Sequence, residues 1–139
     1  MRAHLNERFA SEVTLTPESV AAFSSASGDD NPIHFDADYA ASTRFGRRVA
    51  SGTQTSALLM GLTGSHFSKS GAVLGLEFTI RFELPVYADE TIRVEWEVVS
   101  VRPNRKLNGE IVDLRGCILG QDGRIAVSAK GRVLLTDRL

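Results

Sequence analysis

A chain of 139 residues has room for one hydrophobic core of ordinary size but not for two. Hydrophobic residues make up 42% and charged residues 24%, a globular mixture that argues against disorder, and nowhere do about 18 apolar residues run together as a membrane span requires. Sixteen Lys and Arg against seventeen Asp and Glu leave a net charge of -1, with no footprint for nucleic acid, and Met1-Arg2-Ala3-His4-Leu5-Asn6 lacks the apolar run of a signal peptide, so a cytoplasmic location is expected.

The chain reads as helical and loop-like to about residue 68 and as strand-like thereafter, an order that predicts an α+β fold in a single domain over residues 1–139. Thr16-Pro17-Glu18 opens a helix: a hydroxyl to cap, a proline whose missing N–H costs nothing at the first position, and an acid in the first turn. Gly28 accepts the left-handed cap that ends it, ahead of Pro32. Asp36 caps a second short helix, Ala37 to Thr43. From Thr53 to Leu62 no residue is charged and apolar residues occupy most of the circumference, so this helix, capped by Ser51, is expected to be buried nearly all round.

Glu90 to Val98 alternates strictly between polar and apolar residues, the pattern of a strand with one wet and one buried face. Residues 73–86, 106–119 and 124–135 carry β-branched runs broken at Pro103-Asn104, Asn108-Gly109 and Gln121-Asp122-Gly123. The last of these is a hairpin turn, whereas Asn108-Gly109 either starts its strand late or makes a bulge. An antiparallel sheet with one apolar face and an uncharged helix that needs cover are satisfied together if the sheet curls around the helix, which is the hot-dog arrangement.

Chemistry concentrates in Ser27-Gly28-Asp29-Asp30-Asn31-Pro32-Ile33-His34-Phe35-Asp36. A proline-stiffened turn can aim a carboxylate and an imidazole at one water, the first taking its proton and the second handling the other proton of the reaction. The same residues also read as an ordinary turn, with Asp30 and Asn31 bonded to local backbone and His34 merely packed. Gly52, at the first turn of the uncharged helix, is either an N–H donor to developing negative charge or a glycine needed for close packing. Cys117 lies in a strand-like run and reads as a small apolar residue rather than a nucleophile. His4 and His66 have no acid or cysteine at ligand spacing, so no metal site is expected.

The stretch S-G-D-D-N-P-I-H-F-D closely resembles the hydratase-2 motif of the MaoC-like, R-specific enoyl-CoA hydratases, a family of hot-dog proteins. The likeness continues through F-G-R-R-V-A-S-G, the central helix and R-F-E-L-P-V-Y-A-D-E-T, and so covers most of residues 15 to 135. This resemblance implies a hydro-lyase that adds water to a 2-enoyl-CoA to give an (R)-3-hydroxyacyl-CoA, with no cofactor beyond the CoA of the substrate, working as a homodimer. It implies catalytic roles for Asp29 and His34, a supporting role for Asn31 in the turn, and an oxyanion contact from Gly52. Members often carry histidine where this chain has Ser51, which leaves any substrate contact made by that histidine without a counterpart.

The CoA phosphates need cations, for which Arg47, Arg48, Arg81, Arg102, Arg105 and Lys106 are candidates, the last three above all. Leu58, Leu59, Met60 and Leu62 are bulky residues on the helix beside the acyl chain, which favours short or medium chains. Acyl-CoA thioesterases and acyl-carrier-protein dehydratases of the same fold generally carry a carboxylate in or beside the central helix, whereas residues 53–66 contain no Asp or Glu. A non-catalytic acyl-CoA-binding subunit is the remaining alternative, since fold does not fix function.

Overall fold

The computed structural model describes residues 2–139. Its elements are β1 (Arg8–Thr14), α1 (Pro17–Ser27), a 3₁₀ turn (Pro32–His34), α2 (Ala37–Ala41), α3 (Gly52–Phe67), β2 (Ala72–Phe82), β3 (Thr91–Asn104), β4 (Gly109–Leu119) and β5 (Ile125–Thr136). The strands form one antiparallel sheet in the order β1-β3-β4-β5-β2. Alternation sends Ile92, Val94, Trp96 and Val98 of β3 inward, where they join Val112, Leu114 and Ile118 of β4, Val127 and Val133 of β5, and Leu59 and Phe67 of α3 in one core. The Trp96 indole, central in the sheet, donates its Nε1–H to the Leu59 carbonyl at 2.9 Å and so fastens α3 to the inner face.

The helix starts follow their caps. Thr16 and Ser19 exchange side-chain and backbone bonds around the start of α1, with Pro17 inside it. Gly28, at φ 79°, closes the helix: its N–H goes to the Ser25 carbonyl and that of Asp29 to the Ser24 carbonyl. α2 stops two residues short of the expected Thr43, because the Ser42 and Thr43 hydroxyls donate back to the Tyr39 and Ala40 carbonyls.

Three expectations need correction. β1 lies in the half that reads as helix and loop. Its inward alternation, Phe9-Ser11-Val13, has a serine in the middle, and most of the strand is exposed. α3 runs on to Phe67 and is not buried all round. The buried positions Thr55, Leu59, Thr63 and Phe67 form one stripe toward the sheet, while Met60 is 45% exposed on the other side. β3 continues past Val98 to Asn104, so Pro103 ends a strand rather than separating two, and β4 starts late, at Gly109. A Cβ on Gly109 would lie 2.3 Å from the Leu135 carbonyl oxygen, which is why a glycine stands there. The Asp122-Gly123 turn is in place, with Gly123 at φ 83°.

Candidate active site

The helix ending at Gly28 delivers Asp29, and the Asp29 carboxylate shapes the next turn by accepting the Asn31 N–H at 3.1 Å through Oδ1. Asn31 in turn caps the 3₁₀ helix, its side-chain oxygen accepting the Ile33 N–H. Pro32, its own φ locked by the ring, opens that turn, and two residues later His34 points back at the carboxylate. Nε2 of His34 and Oδ2 of Asp29 are 3.3 Å apart. His34 is 6% exposed, whereas the Asp29 side chain keeps 30% of its surface, so the pair sits at the edge of the interior with the acid at its mouth. Asp30 is exposed and makes no ion pair with His34.

The ring orientation is fixed from behind. Nδ1 lies 2.7 Å from the Val49 carbonyl oxygen, and because a carbonyl only accepts, Nδ1 carries the proton. In the neutral ring Nε2 then presents a lone pair to Asp29. Two acceptors at 3.3 Å need hydrogen between them, from a second proton on the ring or from a molecule that donates to both.

Val49 also ties the pair to α3. The segment runs beside residues 86–88, with Ala50 N–H on the Val86 carbonyl and Ala88 N–H on the Arg48 carbonyl, and α3 begins three residues after Val49. Ser51 is fully buried and caps α3 by accepting the Gln54 N–H at 3.1 Å, while its hydroxyl meets that of Thr53 at 2.8 Å. The Gly52 N–H, first of the helix, donates to no protein acceptor among the described residues. A Cβ on Gly52 would stand 3.0 Å from the ring of Phe82, itself 57% exposed, so both readings of this glycine keep a physical basis.

The expected phosphate contacts separate from the pair. Arg105 and Lys106 lie in the turn between β3 and β4, and Arg102 precedes it, paired with Asp113 at 2.9 Å. That turn is at the far end of β3 from residues 86–90. At the near end, Arg47 lies over Tyr87 and pairs with Asp89, and Arg48 donates only to backbone carbonyls. Leu59 is fully buried in the core and Met60 is 45% exposed. A groove of about 780 Å³ crosses the outer face of the sheet past Arg93, Cys117 and Lys130 and contains none of Asp29, His34 or Gly52. Cys117 is half-buried there. Burial and the Glu95 carboxylate push its thiol up to about 11, which leaves little thiolate for attack. Among the described residues no cluster of three His, Cys, Asp or Glu could hold a metal, and no helix is long and apolar enough to cross a membrane.

Sheet, central helix and acid–imidazole pair together define a hot-dog domain. The chain belongs to the MaoC like domain family, whose model matches residues 4–115. It is 32% identical over 134 residues to an (R)-specific enoyl-CoA hydratase of Aeromonas caviae, covering 96% of this chain and 92% of the relative. Its fold superposes on the solved structure of the (R)-hydratase of A. caviae involved in PHA biosynthesis with a TM-score of 0.86, at 28% identity over 96% of this chain and 97% of that one. An unliganded R-hydratase from Pseudomonas aeruginosa gives a TM-score of 0.87 at 26% identity, over 97% and 83% of the two chains.

Proposed function

We propose that the chain is a hydro-lyase that adds water reversibly to a trans-2-enoyl-CoA and yields the (R)-3-hydroxyacyl-CoA. The observation that carries this is the 3.3 Å approach of Asp29 Oδ2 and His34 Nε2 with Nδ1 committed to Val49. A water that donates one hydrogen to each of these acceptors has its lone pairs turned outward, toward a substrate carbon. Attack forms the C3–O bond, and the C2=C3 electron pair moves onto the thioester as an enolate. Asp29 takes the proton lost from the water and passes it to Nε2 of His34, which delivers that same proton to C2, so both groups end as they began. The Gly52 N–H, at the positive end of α3, stabilises the enolate oxygen. Dehydration uses the same groups in reverse. The relatives named above support the reaction and its hand.

Assembly belongs to the same proposal. β1 is a short polar edge, but β2 is an 11-residue edge strand with Leu74, Leu76 and Phe82 exposed, and Met60 of α3 is open as well. A second copy pairing along β2 would cover these residues and make one sheet of two. Arg105 and Lys106, with no carboxylate within 4.0 Å among the described residues, are then available to a CoA held by the other copy. Short or medium acyl chains remain the expected substrates.

The test is to mix pure protein with a short trans-2-enoyl-CoA and follow loss of the conjugated thioester absorbance, with chiral analysis of the product. (R)-3-hydroxyacyl-CoA supports the reading. Hydrolysis to free CoA, or binding without turnover, replaces it with a thioesterase or an acyl-CoA-binding subunit. Light scattering that finds a stable, active monomer removes the dimer.

A further inference from the structure

The guanidinium of Arg48 is committed to backbone. Its Nε and Nη2 donate to the His34 carbonyl at 3.1 and 2.6 Å, and Nη2 also donates to the Pro17 carbonyl at 2.9 Å. No carboxylate stands within 4.0 Å of it among the described residues. A planar fork of donors can hold two carbonyls at a fixed separation, which a single flexible ammonium does less well. The two carbonyls are well chosen. Pro17 opens α1, whose far end delivers Asp29, and His34 closes the 3₁₀ turn. The next residue holds the same histidine again: the Val49 carbonyl accepts the ring Nδ1–H and the Val49 N–H donates to the Ile33 carbonyl at 3.3 Å. Arg48-Val49 therefore grips the main chain and the ring of His34 together, and the Ala88 N–H anchors this grip through the Arg48 carbonyl.

We infer that Arg48 is a positioning residue for the Asp29–His34 pair: by tying the start of α1 to the end of the 3₁₀ turn it sets the distance across which the two side chains share a water. The inference rests on the hydration reading for its kinetic consequence, since a misplacement of about 1 Å can cost up to about 10²-fold in rate.

Arg48→Ala and Arg48→Lys, assayed with a short enoyl-CoA, test it. Arg48→Ala is expected to lower kcat about ten- to a hundredfold while KM stays within about twofold, because the lost contact acts on the catalytic pair and not on binding. Arg48→Lys should lose less, and free guanidinium ion should restore part of the turnover of Arg48→Ala. In a His34→Gln background, Arg48→Ala should cost almost nothing further. Wild-type kcat in Arg48→Ala, a rise in KM alone, or an equal loss with and without His34 overturns the inference. Should Arg48→Ala not fold, Arg48→Lys is judged by the same cycle against His34→Gln. The His34 Nδ1–H proton resonance is a readout independent of activity, expected to shift or broaden in both variants. A wild type without hydratase activity sinks the functional reading, whereas an unchanged His34 resonance sinks the positioning role.

Discussion

Two imidazoles in this chain each meet a carboxylate, and the fold surrounds them differently. His66, in the last turn of α3, holds its Nε2 at 2.6 Å from Glu7 Oε2, with its ring stacked on Phe9 at 3.8 Å and edge-on to Phe67. Glu7 also accepts the His4 N–H. Burial alone would raise the Glu7 carboxyl, but these hydrogen bonds and the nearby histidine charge outweigh it and hold the group below its usual range. The pair is a clasp between β1 and the end of α3, with its partners supplied by protein. His34 is anchored instead through Nδ1, on the Val49 carbonyl, and its Nε2 faces the partly exposed Asp29 carboxylate at 3.3 Å, a separation at which a third molecule can donate to both. An acid beside a histidine is thus not a site in itself. Acceptor capacity left over, and aimed at one point, is what separates the second pair from the first.

The contrast breaks first at Asp29. Asp29→Asn keeps the size and the turn contact to Asn31 but removes the base, and turnover should fall by about 10² to 10⁴. Glu7→Gln should leave turnover near the wild-type value. If Asp30→Asn destroys activity and Asp29→Asn does not, the assignment within the Asp pair is reversed.

Gly52 sharpens the picture by separating its N–H from its lack of a side chain. Gly52→Ala keeps the donor and adds a methyl against the exposed end of Phe82, for a modest loss. Gly52→Pro removes the donor at a helix position that tolerates proline, behind a Ser51 already at φ -70° and ψ 149°, and should lower kcat by about 10² to 10³. Equal losses in the two variants would make Gly52 a packing residue only.

The smallest effect concerns the clasp. A carboxyl held lower in the folded than in the unfolded chain binds fewer protons when folded, so its contribution is present above the unfolded value and fades as pH falls through the carboxylate range. Glu7→Gln should therefore lower the melting temperature by a few degrees at most near neutral pH and reduce the difference from wild type as the solution is acidified. A difference that grows on acidification would contradict this account of the pair.

What the sequence shows and what it hides follow from the range of the forces involved. Caps are local, so Thr16, Gly28, Asp36 and Ser51 mark their helix ends correctly in the linear chain. The Asp29–His34 pair was legible as one of two readings, because a tight turn is also local. β1 was not, since an exposed edge strand gets its structure from pairing with β3, far along the chain. The last turn of α3, Thr63-Gly64-Ser65-His66, has weak intrinsic helix propensity and is held by Phe67 in the core and by Glu7, 59 residues earlier. Arg48 reads in the sequence as a phosphate candidate and not as a structural clamp, because its partners are backbone carbonyls 14 and 31 residues away, which leave no trace in side-chain chemistry. Arg102, Arg105 and Lys106 look like a ligand patch in sequence, yet the length of β3 carries them to the other end of the sheet.

The most direct test of the account is a double-mutant cycle on turnover, with Asp29→Asn, His34→Gln and both together. His34→Gln alone should lose at least about a hundredfold with its melting temperature nearly intact. If the two residues act on one water, the double variant should be scarcely slower than the worse single variant, because groups working as a unit are not additive. Losses that multiply in the double variant would mean that Asp29 and His34 act separately, and would contradict the shared water on which the proposed mechanism stands.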